Sequence, residues 1–152
     1  MAEWSPYVDG RVKAHVALDG TVTGACHARR TGGTEQVPRP CYRLDVDNYD
    51  GILGLGRVNS AGSYTQLASY QQTDGQEWLD EAFWLQCVGT TIKAFNRITP
   101  VERISVTDST VTSAGAWGGQ SAVSFEDMSA PQPSAAASVF GSINALGRRL
   151  VT

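Results

Sequence analysis

This chain of 152 residues predicts an all-β fold, an antiparallel sandwich or barrel. Three observations carry that expectation. Strand-like runs of roughly five to eight residues recur, with a turn about every ten residues. Gly occupies 16 positions and only 18% of residues are charged, against an average near 25%. No strand–helix–strand alternation appears, which argues against a parallel sheet, and no internal repeat is visible. The length fits one domain, and a domain of this size buries roughly 68–70% of its unfolded surface, enough for a core without metal or disulfide staples.

The elements follow in order. Arg11 to Leu18 alternates with period two, Val12, Ala14, Val16 and Leu18 facing one way and Arg11, Lys13 and His15 the other, which is a half-buried strand. Asp19-Gly20 turns it, and Thr21 to Arg29 returns. Thr31 to Pro40 holds two Gly and two Pro and reads as a loop. Cys41 to Val46 and Ile52 to Val58 form a hairpin through Asp50-Gly51, and Tyr64 to Tyr70 adds a strand. Gln71 to Asp80 reads as a polar loop. Ala82 to Val88 is strongly apolar, with Trp84 expected in the core, and Gly89-Thr90 leads into Thr91 to Phe95. Ile104 to Thr107 follows, then a loop from Asp108 to Gly115, and Ala122 to Glu126 closes the series.

The character changes after Met128. Residues 1–129 read as the sandwich, and 130–138, with Pro131, Pro133 and a run of Ala, have linker composition. Over 139–152, Val139, Ile143, Leu146 and Leu150 recur at helical spacing, with Phe140 adjoining and Arg148-Arg149 near the C-terminus. So short a helix is marginal alone in water, and it is expected to form where it docks, on its own sandwich or on another subunit or larger assembly, and otherwise to be disordered.

Twelve Lys+Arg against fifteen Asp+Glu give a net charge of −3. The basic residues are scattered apart from Arg29-Arg30 and Arg148-Arg149, so the basic face that nucleic-acid binding needs is missing and no nucleic acid is expected. No apolar run is long enough for a membrane-spanning helix, so no membrane partner is expected. The opening residues lack the basic and apolar regions of a secretory signal, which points to synthesis in a cytoplasm. Cys26, Cys41 and Cys87 form no Cys-x-x-Cys pair. They read as small buried hydrophobes, with a Cys26–Cys41 bridge open to neighbouring strands.

The stretch Leu85 to Phe95, followed by Ile104 to Gly118 with its Asp108-Ser109-Thr110 and Gly115-Ala116-Trp117-Gly118 pieces, resembles the concanavalin A-like lectin/laminin G superfamily of β-sandwiches. His27-Ala28-Arg29, Tyr42-Arg43-Leu44 with Asp50 to Leu55, and Val123 to Met128 fit the same pattern, and the likeness covers residues 8–129. The resemblance implies a jelly-roll sandwich. Such domains begin with a further strand that pairs with the last one; here Glu3 to Tyr7 does that job or the edge stays open to another chain. Asn96 to Val101, with Pro100, replaces a short turn and implies a longer, kinked connection.

Catalytic and metal patterns fail one by one. Retaining glycoside hydrolysis needs two carboxyls about 5–5.5 Å apart, and no matching Glu-x-Asp-x-Glu cluster exists; Glu77, Asp80 and Glu81 read as a solvated patch. Counted from Asp45 as a calcium loop, Gly51 falls seventh and Gly56 twelfth, which breaks the required pattern. His15 and His27 lie on separate strands, with no nucleophile elbow, and Gly54-x-Gly56 lacks the rest of a dinucleotide loop. No cofactor, metal or catalytic residue is assigned.

What remains is an interaction protein and not an enzyme. Trp78 and Trp117 fall in loops and are the candidate contacts for a glycan or a partner. Phe140, Ile143, Leu146, Leu150, Arg148 and Arg149 are the candidate docking residues of the tail. The first expectation is a structural module such as a phage capsid-decoration or other virion protein. It would dock on other protein subunits through its tail, at a virion surface, and expose a lectin-like domain. The alternative is a free-standing carbohydrate-binding lectin that recognises surface glycans. Both rest on analogy of fold.

Overall fold

A computed structural model describes residues 2–16, 21–34, 39–73 and 81–129. Over these the chain runs β1 (Ala2–Tyr7), β2 (Gly10–Val16), β3 (Thr21–Arg30), β4 (Cys41–Asp47), β5 (Ile52–Val58), β6 (Tyr64–Gln71), β7 (Glu81–Val88), β8 (Thr91–Asn96), β9 (Val101–Thr107), β10 (Gly115–Gly119) and β11 (Ala122–Asp127). A six-stranded sheet has the order β1-β10-β3-β4-β5-β6, and a five-stranded sheet the order β11-β2-β7-β8-β9. All pairings are antiparallel. Linker 130–138 and the tail helix expected over 139–152 lie outside the described residues.

The period-two pattern sets which face is buried. In β2, Val12, Ala14 and Val16 enter the core while Arg11, Lys13 and His15 point outward. Tyr42, Leu44 and Val46 of β4 oppose Leu53 and Leu55 of β5 on the inner face. Phe83, Leu85 and Cys87 of β7 and Ile92 and Ala94 of β8 supply the other layer. Buried aliphatic side chains of this kind contribute about 1.5–3 kcal/mol each.

Trp84 departs from the expected core position. Phe83 and Leu85 take the inner face of β7, and parity sends Trp84 outward, where it pairs across the sheet with Lys13 and Phe95. The Arg11 and Lys13 cations lie over its ring at 4.8 and 5.1 Å. The apolar run from Ala82 to Leu85 conceals parity, because both of its faces are hydrophobic.

Trp117 departs in the opposite direction. The segment expected as a turn forms β10, and Trp117 is 0% exposed. Its indole Nε1 donates to the Tyr7 carbonyl at 2.9 Å, and its ring meets Phe125 at 5.3 Å. The sequence Gly-Ala-Trp-Gly-Gly looks like a turn, but its glycines serve close approach. A Cβ at Gly119 would fall 2.1 Å from the Ala25 carbonyl oxygen, and one at Gly115 2.5 Å from that of Arg30.

The N-terminal segment does form a strand, with a partner other than the one expected. β1 pairs with β10, Trp4 opposite Trp117, and not with the final strand. Contact with β11 is made through side chains instead, Trp4 and Tyr7 meeting Phe125 at 6.0 and 4.7 Å. The β8–β9 connection is a four-residue turn over Arg97–Pro100, with Arg97 at φ 77°.

Two polar anchors fix one end of the sandwich. Arg29, fully buried, donates to the carbonyls of Val8, Val111 and Gly89 at 2.6, 3.0 and 2.8 Å and to Asp9 at 3.2 Å. Asp108 accepts from the Tyr42 hydroxyl at 2.7 Å and pairs with Arg57. Burial opposes the Asp108 charge, but hydrogen bonds from Tyr42 and Thr110, with Arg57 beside them, hold the carboxyl below its usual range.

Cys26, Cys41 and Cys87 are buried, and none is in a disulfide. The Cys26–Cys41 bridge does not form. Cys26 lies opposite Leu44 on the inner face, whereas Cys41 lies opposite Val58, one step out of phase with Tyr42 and hence on the outer side.

Candidate functional site

The outer face of the six-stranded sheet carries a polar surface that the strand register assembles. In β4, the residues alternating with Tyr42, Leu44 and Val46 are Arg43, Asp45 and Asp47. Opposite them in β5 stand Gly56, Gly54 and Ile52. Opposite those glycines in β6 stand Gln66 and Ser69, with Tyr64 at the head of the strand. Glycine at two successive outward positions of β5 leaves a floor of bare backbone, walled on one side by Arg43 and Asp45 and on the other by Tyr64 and Gln66.

The two glycines play different parts. At Gly56 the Tyr64 ring lies directly on the backbone, since a Cβ there would fall 2.3 Å from Tyr64 Cε1. At Gly54 a Cβ would find its nearest neighbours, Gln66 Oε1 and Tyr64 Oη, at 3.6 and 3.7 Å. Gly54 therefore floors an open recess of about 240 Å³, lined by Asp45, Asp47, Ile52, Gly54, Tyr64 and Gln66.

Its walls are held by charge. The Arg43 guanidinium spans Asp45 at 2.8 and 3.0 Å and lies 4.6 Å from the centre of the Tyr64 ring. Asp45 also accepts from the Gly24 amide at 2.8 Å. Asp47 accepts from the Tyr49 and Asp50 amides, both at 3.1 Å. Burial pushes the Tyr64 hydroxyl above its ordinary pKa, with Asp45 adding to the effect, so it is a neutral hydrogen-bond donor at physiological pH.

A second cluster adjoins on the same face. Glu3 of β1 takes two contacts of 2.7 Å from Arg30 and one of 2.8 Å from the buried His27. Arg30 is the largest influence keeping the Glu3 carboxyl below its usual range, and His27 acts in the same direction. His27 lies directly across from Arg43. The face thus runs from Glu3 through His27 and Arg43 to Tyr64 and Gln66.

The residues singled out in the sequence do not meet here. Trp117 is in the core and cannot contact a ligand. Trp78 and the tail residues Phe140, Ile143, Leu146, Arg148, Arg149 and Leu150 lie outside the described residues. The Arg43, Asp45, Tyr64 and Gln66 grouping was missed. Its signal was the Leu-Gly-Leu-Gly alternation over 53–56, which marks an outward strand surface stripped of side chains. Among the described residues, no group of three or more His, Cys, Asp or Glu side chains could hold a metal ion.

No family model matches this chain, and no curated protein matches it in sequence. Solved structures do. The chain is similar to a carbohydrate-binding module, CBM66, from Bacillus subtilis, at 15% identity and a TM-score of 0.52, covering 83% of this chain and 74% of that one. It is similar to sheep galectin-11, solved with glycerol, at 11% identity and a TM-score of 0.50, covering 82% and 93%. A weaker likeness, TM-score 0.44 at 14% identity over 84% and 72%, is to the exoplasmic/lumenal domain of VIP36 bound to calcium and Man3GlcNAc. The fold of this chain is that of a lectin-like β-sandwich.

Proposed function

We propose that the chain is a carbohydrate-binding module whose ligand lies on the outer face of the six-stranded sheet, across β4, β5 and β6. The carrying observation is the recess above Gly54, where two carboxylates, a neutral phenol and a side-chain amide converge around bare backbone. Sugars present adjacent hydroxyls that both donate and accept, and such a set answers them. The recess is smaller than the roughly 300–1,000 Å³ of a pocket for a drug-sized ligand. It suits one sugar unit, with the rest of a glycan running along the open sheet. The likeness to a carbohydrate-binding module and a galectin supports this reading through the fold it shares.

Binding, not catalysis, follows from how the carboxylates are held. Asp45 is ion-paired with Arg43 and bonded to Gly24, and Asp47 caps the turn after β4. Both are acceptors fixed in place, and neither is placed as a proton donor beside a second free carboxyl.

Glycan-array screening followed by titration calorimetry tests the reading. Saturable binding of a glycan, lost in Gln66→Ala and Tyr64→Phe and kept in Lys93→Ala on the opposite sheet, supports it. Absence of any glycan ligand, or binding indifferent to Gln66 and Tyr64, overturns it.

The docking of residues 139–152 on another subunit remains a separate proposal, carried by the apolar stripe Val139, Ile143, Leu146 and Leu150. A virion role has no further support from the fold. Light scattering of the full chain against Ile143→Asp/Leu146→Asp tests the docking. Association abolished by the double variant supports it, and association unchanged by it removes the tail from the interface.

A further inference from the structure

The recess above Gly54 has more acceptors than donors, and its charge does not balance. Asp45 and Asp47 are successive outward residues of β4, and both line it. Asp45 is already satisfied. Its Oδ1 accepts from Arg43 Nε and from the Gly24 amide, both at 2.8 Å, and its Oδ2 accepts from Arg43 Nη2 at 3.0 Å. The Arg43 cation is thus spent on Asp45.

Asp47 has no such partner. Its Oδ1 takes the Tyr49 and Asp50 amides. Among the described residues its Oδ2 takes no donor, and no cation pairs with it. Gln66 Oε1 and Tyr64 Oη stand over the floor, 3.6 and 3.7 Å from the place a Gly54 Cβ would take. The phenol and the amide are neutral, so the charge of Asp47 stays uncompensated until something enters the recess.

The chemistry of that entrant follows from what is missing. A hydroxyl brings one donor, and its own lone pairs need donors in return. A protonated primary amine brings three donors, no acceptor and the missing positive charge. A calcium ion takes about six to eight oxygens, and among the described residues no three carboxylate, thiol or imidazole groups gather to hold a metal.

We propose that the sugar unit held in this recess is an amino sugar with a free, protonated amine, which donates to Asp47 and Gln66. The proposal rests on the carbohydrate-binding reading above and adds the charge of the ligand to it. N-acetylation leaves the nitrogen a single donor, removes its charge and brings an acetyl group into a recess of about 240 Å³. Carboxylated and sulfated sugars bring a like charge toward Asp47, and like charges set together are rejected.

A glycan array that presents each sugar in three forms tests it, with a free amine, an acetylated amine or a hydroxyl on the same carbon. It is read at mildly acidic pH, where the amine is protonated and the carboxylates are not, and followed by titration calorimetry. The amine form should bind tighter than its two counterparts by about tenfold or more, the lower end of what a hydrogen bond to a charged group contributes. Asp47→Asn keeps an oxygen for the turn amides and removes the charge, and it should abolish that preference. A hydroxyl or acetylated form that binds as well as the amine overturns the proposal and leaves the carbohydrate-binding reading standing. A preference that a folded Asp47→Asn protein retains also overturns the proposal alone. Binding of no glycan at all overturns both. If Asp47→Asn fails to fold, salt decides in its place. Salt screens charges at an open recess, so the preference should narrow as salt rises, and a preference indifferent to salt overturns the proposal.

Discussion

The ring of Tyr64 rests on the backbone of Gly56, close enough that a Cβ at Gly56 would fall 2.3 Å from the ring. The atoms in the way belong to the far end of a movable side chain. Gly56→Ala therefore swings Tyr64 off its seat without breaking the sheet. On the proposed carbohydrate-binding reading, glycan affinity falls by about tenfold, roughly 1.4 kcal/mol, while the thermal midpoint moves little. Calorimetric titration beside a melting curve checks both halves; a large fall in midpoint with unchanged affinity contradicts the assignment of Tyr64 as a wall.

Acid weakens the fold through Glu3 and Asp108. Both carboxyls sit below their ordinary values in the folded chain, Glu3 chiefly through Arg30 and Asp108 through Tyr42, Thr110 and Arg57 acting against burial. A depressed group contributes stability that is present above its unfolded pKa and lost as pH falls through its folded pKa. Urea midpoints measured downward from neutrality should fall across and below the normal carboxylate range. Glu3→Gln starts less stable and loses less on acidification. Equal slopes for the variant and the parent would show that the Arg30–His27–Glu3 cluster carries no linkage.

Arg29→Ala should be among the most damaging single changes. It leaves the carbonyls of Val8, Gly89 and Val111 without their buried donor. Leaving one buried acceptor unsatisfied costs about 1–3 kcal/mol, and losing one member of a buried pair about 3–5 kcal/mol. Chemical denaturation should show a loss of at least about 3 kcal/mol. Arg29→Lys rescues only part of it, because an ammonium cannot span all four acceptors.

The cysteines should be silent until the chain unfolds. Burial pushes the Cys41 and Cys87 thiols up to about 12 and Cys26 higher still. The thiolate is the reactive form, so a chromogenic disulfide reagent at neutral pH gives no fast phase with native protein. In denaturant all three thiols react. A rapidly reacting thiol in the native state would contradict the burial of these strands.

Most of the sandwich was legible because half-buried strands write their faces into the sequence. The alternation of Arg11 to Val16 and the Asp50-Gly51 turn each appear where the pattern places them. Legibility failed where glycine or a long apolar run removed the alternation. Gly115 to Gly119 looked like a turn because its glycines answer to backbone contacts with β3 that no local pattern records. Trp84 looked buried because Ala82, Phe83 and Leu85 around it are apolar. The candidate site was hidden for a related reason. Arg43 and Asp45 are ordinary outward residues until Gly54, Gly56 and Tyr64 are set beside them, and only the register does that.

The pairing of Trp4 with Trp117 also bears on when the molecule can be completed. A ribosome delivers β1 first, and its hydrogen-bonding partner more than a hundred residues later. Until β10 emerges, the aromatic side chains of β1 have no sheet to close, and the flank of β3 stands open. Contacts this distant in sequence are slow to form. Assembly should therefore run outward from the local β4–β5–β6 and β7–β8–β9 hairpins, with the N-terminal strand laid in place last. A nascent chain stalled before residue 115 would hold its meanders but lack its seam, the state most exposed to mispairing.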